Sequence, residues 1–154
     1  MTNDEYSDAE LKLHYMRDPE RRFWRSFDGY VLPHNGRMEM QGQDGHRISE
    51  DTRMALWNYF YKGFEPGGHL TAVLCNDLQT AVYNADIANK YTLVPLVHWL
   101  TDRAPGCSHG NAYNMGYWMQ LPMKEKHAML AAMKLIPDLF EMITEADKFV
   151  DYRY

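Results

Sequence analysis

The chain of 154 residues carries 16 Lys and Arg against 21 Asp and Glu, a formal charge of −5, which fits one domain and argues against a nucleic-acid partner, whose affinity would come from neutralising phosphates with Lys and Arg. Leu, Ile, Val and Phe total only 30 residues, but Met (11), Tyr (11) and Trp (4) enlarge the apolar stock, so a folded chain and not a disordered one is expected. No run approaches the ~18 apolar residues of a membrane helix, and the acidic opening Met1-Thr2-Asn3-Asp4-Glu5 is unlike a secretory signal, so a soluble intracellular protein with no membrane partner is expected.

Ser7 and Glu10 have the reciprocal capping-box spacing, which predicts a helix over about 8–17. Pro19 suits the first turn of a second helix through Phe23, Trp24 and Phe27. Arg21, Arg22 and Arg25 cannot all share one face and read as a solvated surface. Tyr30-Val31-Leu32, the Asn35-Gly36 turn and Arg37-Met38-Glu39-Met40 read as a β-hairpin, because Asn-Gly tolerates the positive φ of a type I′ turn. Gln41 to Gly45 is then a flexible connection.

From Ser49 the pattern is helical. Ser49 is an N-cap, Glu50 and Asp51 complement the dipole, and Gly63 is placed to end the helix. Leu70, Val73, Leu74, Leu78 and Val82 fit one helical stripe, although Asn76 with Gln79 could also cap a fresh start and divide the segment into two short helices. Leu93, Val94, Leu96, Val97 and Leu100 predict the next helix, with Pro95 in its first turn, and Ala104-Pro105-Gly106 stops it. Asn111 caps a helix through Trp118, and Pro122 ends or restarts it. A final apolar series from Met129 to Phe149 predicts two helices, or one kinked at Pro137. The fold class is therefore mainly α, a single-domain helical bundle-like assembly with a minor N-terminal β-hairpin.

Gly106-Cys107-Ser108-His109-Gly110 satisfies the G-x-S-x-G spacing of a hydrolase elbow, but that device needs a buried strand before the Ser, and a helix stands there instead. The seven His fall one or two per element with no H-E-x-x-H pattern, and Cys75 and Cys107 lie too far apart for a paired zinc knuckle, so reduced thiols, no metal and no cofactor are expected. Gly67 and Gly68 open a helix, where free N–H groups could hold an anion, yet no P-loop Lys follows. Asn76 and Asp77 belong to a polar set that could line a ligand pocket as well as cap helices. The aromatic clusters around Trp57 and Tyr61, and around Tyr117 and Trp118, cannot all point into one core, which makes these four residues candidates for an interface and the chain a candidate homo-oligomer.

The run from Glu65 to Leu78, Glu-Pro-Gly-Gly-His-Leu-Thr-Ala-Val-Leu-Cys-Asn-Asp-Leu, resembles a family of short uncharacterised proteins of tailed bacteriophages and prophages. Arg53-Met54, Ala85-Asp86, Trp99-Leu100, Ala104-Pro105, Cys107 and Trp118-Met119 follow that family's order, so the likeness covers about residues 50–119. It divides the chain into an N-terminal extension (1–48), a family-like helical core (49–119) and a C-terminal extension (120–154). Two positions depart from the family: His69 stands where an aromatic is usual, and Ser108-His109 replaces a Trp. A polar pocket shared by His69 and His109 would follow if the two meet.

The resemblance implies a non-catalytic phage accessory protein that acts in the cytoplasm of the infected bacterium by binding a host or defence component, either a protein or a small nucleotide signal. The expected ligand residues are Gly67, Gly68, His69, Asn76, Asp77 and His109. Two alternatives are a minor structural or assembly protein of the virion and a hydrolase or metal-dependent enzyme built on the Cys107-Ser108-His109 loop.

Overall fold

The computed structural model describes residue 7, residues 19–32 and residues 46–138. The expected helix over 8–17, the Asn35-Gly36 turn with its return strand at 37–40, the connection 41–45 and the apolar series from 139 onward lie outside these residues. What is described is mainly α.

Helix α1 (Pro19–Arg25) starts on proline, where the missing N–H has no helical partner to lose. It buries Phe23, and the turn after it buries Phe27. Strand β1 (Val31–Leu32) pairs antiparallel with β2 (His46–Arg47), Val31 opposite Arg47 and Leu32 opposite His46. This pairing is not among the expected ones, and the expected return strand at 37–40 lies outside the described residues. Ile48, next after β2, is buried, and Ser49 then caps a helix, so the chain has to arrive there extended.

Helix α2 (Glu50–Lys62) has the expected ends. Ser49 accepts from the Thr52 N–H, and Gly63 closes the helix at φ 78°, with Phe64 N–H reaching back to the Asn58 carbonyl at 3.0 Å. The next segment takes the divided form: α3 (Gly68–Leu74) and α4 (Leu78–Asn84) are separated by Asn76 at φ 60°. The cap of α4 is Asp77, which accepts from Thr80 N–H, and not Asn76 with Gln79. The break turns α4 away from the α3 register, so Leu78 and Val82 face solvent and Ala81 alone is buried on it.

Helix α5 (Ile87–Arg103) begins at the Asp86 cap and runs straight through Pro95. Pro95 was expected in a first turn; it sits mid-helix instead, at an intrinsic cost of about 3 kcal/mol. Burial of Thr92, Leu96, Trp99 and Leu100 on either side holds the helix together across the break. A 3₁₀ turn (Gly106–Ser108) leads to α6 (Ala112–Gln120), capped by Asn111, and then to α7 (Met123–Ala132) after Pro122. Helix α7 stops before Pro137, at a turn with Lys134 at φ 63°, and Leu135 and Ile136 pack inward beyond it.

One apolar cluster runs from Phe23 to Ile136. At its centre Phe23, Phe27, Phe60, Trp99 and Trp118 meet with ring centroids 4.3–6.0 Å apart. Their polar atoms are spent internally: Trp99 Nε1 donates to Ser26 Oγ at 2.9 Å, and Trp118 Nε1 to the Tyr59 carbonyl at 3.3 Å. Arg53 ties α1 to α2 by donating to the carbonyls of Ile48 and Trp24 and to Asp28.

Candidate functional site

The six ligand candidates do not form one cluster. Gly68 and Asp77 line a surface depression of about 330 Å³ between α3 and α4, together with Glu65, Thr71, Cys75 and Asn84. Gly67 is the N-cap of α3, and Asn76 supplies the left-handed turn between the two helices. His69 and His109 are not among the residues lining the depression.

His69 has a structural task. The N–H of Ala85 turns to Val82, leaving the Ala81 carbonyl without its helical donor, and His69 Nδ1 lies 2.8 Å from that carbonyl. A carbonyl only accepts, so Nδ1 carries the hydrogen. The imidazole thus closes the C-terminal end of α4 from α3. His109 is half-buried, its pKa lowered by desolvation and partly restored by a hydrogen bond to the Leu100 carbonyl. The two His are used on different carbonyls, and a shared pocket is not what joins them to the fold.

The Cys107-Ser108-His109 loop is bound into the core. Ser108 is fully buried; its hydroxyl donates to the Pro105 carbonyl at 2.5 Å, and its carbonyl accepts from the Tyr59 hydroxyl at 2.6 Å. Gly110 N–H donates to the Leu74 carbonyl at 2.7 Å, pinning the loop to the end of α3. This is the reverse of an elbow, which lifts its hydroxyl clear of the backbone. Among the described residues no group of three or more His, Cys, Asp or Glu is arranged to hold a metal. Each thiol instead rests on a thioether, Cys75 on Met115 at 3.5 Å and Cys107 on Met129 at 3.6 Å, and burial together with Asp77 raises the Cys75 pKa.

Of the four interface candidates, Trp57 and Trp118 are core residues, which corrects the expectation drawn from their crowding in sequence. The apolar centre takes rings from more than one face of α2: Trp57 and Phe60 pack together on Phe23 at 5.4 and 6.0 Å, and Tyr59, turned well away from Trp57 around the helix, is buried as well. Tyr61 is half-buried, stacked between Trp57 and His127 at 4.1 and 3.7 Å, and burial raises its hydroxyl pKa. Tyr117 stands on the surface.

The exposed apolar residues that composition did not locate run along the joint of α4 and α5. Tyr83 is 88% exposed, Ile87 75% and Leu78 66%, with Val82 beside them. The signal was present in the alternative of two helices, which rotates Leu78 and Val82 out of the stripe.

No family model, curated protein or solved structure matches the chain. No helix among the described residues is long and apolar enough to cross a membrane.

Proposed function

We propose that this chain is a non-catalytic phage accessory protein that binds a host or defence protein in the cytoplasm of the infected bacterium. The observation that carries the reading is the exposure of Leu78, Val82 and Tyr83 on α4 and of Ile87 at the start of α5. Exposed aromatic and aliphatic side chains on neighbouring elements are what protein interfaces use. The resemblance of residues 50–119 to phage proteins supplies the biological setting. A protein partner fits better than a nucleotide signal, because the depression beside Pro66-Gly67-Gly68 is lined by Glu65 and Asp77 and by no Lys or Arg.

The test is affinity purification of the tagged chain from infected cells beside a Tyr83→Glu/Ile87→Glu variant. The expected result is a defined bacterial protein retained by the first and lost by the second, with thermal unfolding of the two alike. A partner set unchanged by the variant, or recovery of the chain only as part of purified virus particles, overturns the reading. Sedimentation of both proteins separates a second copy of the chain from a different partner.

A further inference from the structure

A second surface feature lies where β1 faces the middle and C-terminal half of α5. A cavity of about 240 Å³ is bounded by Tyr30 and Leu32 on the strand side and by Val94, Pro95, His98 and Asp102 on the helix. Val94, His98 and Asp102 recur at four-residue intervals, so one face of α5 presents them together. The lower half of this face is apolar and the upper half polar. Val94 is half exposed, an open aliphatic surface beside the proline ring.

The polar half is partly organised already. The Tyr30 hydroxyl donates to Asp102 Oδ2 at 3.1 Å, leaving Oδ1 as an acceptor. Burial, then Asp102, push the Tyr30 pKa up, so the phenol keeps its proton at neutral pH, while the neighbouring Arg103 opposes the shift. Asp102 and Arg103 therefore act on the Tyr30 hydroxyl with opposite sign, so neither charge dominates this end of the cavity, which favours an uncharged guest over an ion. The volume lies below the ~300–1,000 Å³ of drug-sized sites and suits one or two rings.

We propose that this cavity binds a small uncharged heteroaromatic molecule with an N–H donor, its ring between Val94 and Leu32 and its N–H directed to the remaining oxygen of Asp102. His98 offers a further ring nitrogen for an acceptor on the guest. The site is independent of the α4–α5 joint, so either reading can fail alone.

Ligand-observed NMR and calorimetry on the full chain test it, with indole and adenine as probes and 1-methylindole as the control lacking the donor. Indole or adenine is expected to bind with a Kd of about 1 mM or tighter, within the range open to so small a ligand. Loss of the hydrogen bond to a charged group weakens binding by about tenfold or more, both for 1-methylindole on the native chain and for indole or adenine on Asp102→Leu. Val94→Trp fills the cavity and abolishes binding while thermal unfolding stays unchanged. Failure of both probes at about 5 mM, equal affinity for indole and 1-methylindole, or full affinity in Val94→Trp overturns the proposal.

Discussion

Around Trp99, rings from α1, α2, α5 and α6 meet within 6.0 Å, whereas α4 buries Ala81 alone and turns Leu78, Val82 and Tyr83 to solvent. Both regions are rich in apolar side chains. What separates them is the number of neighbours each helix has to cover it. Helices α2 and α5 are 13 and 17 residues long and cross the centre of the molecule, while α4 has seven residues and leans chiefly on α3. A helix that short is marginal alone. Its ends are held instead by the Asp77 cap and by His69 on the Ala81 carbonyl.

The contrast can be broken most directly at its centre. Phe60→Ala removes the ring that touches Phe23, Tyr59, Trp99 and Trp118, and is expected to lower the unfolding free energy in urea by about 3–5 kcal/mol. A loss below about 1 kcal/mol would mean that the aromatic centre is not where stability resides.

A smaller effect is expected at the end of α2. Gly63 has φ 78°, and a Cβ there would lie 2.8 Å from Lys126 Nζ and 3.0 Å from the Met119 carbonyl. The Lys126 ammonium is buried among the closing carbonyls of α6, donating to Met119 and Leu121, and desolvation lowers its pKa. Gly63→Ala is expected to cost more than about 1 kcal/mol by the same measurement, since both the backbone and the ammonium must yield.

Protonation gives a gentler probe of the packed side. The His109 pKa is lowered in the fold, so the unfolded chain takes up its proton first. Its contribution to stability is present above the unfolded value near 6.5 and is lost as pH falls through the folded value. Urea midpoints are expected to fall between about pH 7.5 and pH 5, and His109→Gln to reduce that slope. An unchanged slope would remove His109 from the account.

The smallest effect is expected at the open joint. Leu78→Ser and Tyr83→Ser should each change stability by no more than about 0.5 kcal/mol, and amide exchange should be faster in α4 than in α2. A large loss from either substitution would show that this face is covered in the folded chain.

Much of the fold was legible because local chemistry sets helix ends. Ser49, Gly63 and Asn111 act within a few residues of their position, so capping rules locate them without knowledge of the rest, whereas the Asp86 cap escapes them because the apolar series that marks its helix starts only beside Pro95. Pro95 was misplaced for the same reason: a local rule forbids proline inside a helix, and only burial on both sides of it overrides that rule. The pairing of β1 with β2, next to Ile48 in the core, was not foreseen, because it joins Val31 to Arg47 and Leu32 to His46 by a long-range demand that the Asn35-Gly36 turn does not express.

The candidate site was less legible. Aromatic crowding marked Trp57 and Trp118 as an interface, yet periodicity says which residues share a face and not how wide a cavity that face meets. His69 and His109 stood out as departures from the phage-like pattern, but the carbonyls they serve belong to Ala81 and Leu100, whose need for a donor arises only after the chain has folded.

By itself, then, the sequence determined the helical class and most of the helix boundaries, because these follow from spacing and caps. Tertiary structure alone decided which rings became core, that Ser108 lost its hydroxyl to the backbone, that α4 was left with its apolar side uncovered, and that Tyr30 met Asp102 across 72 positions. Those outcomes depend on how many surfaces compete for the same interior, and that count exists only once every helix has been placed.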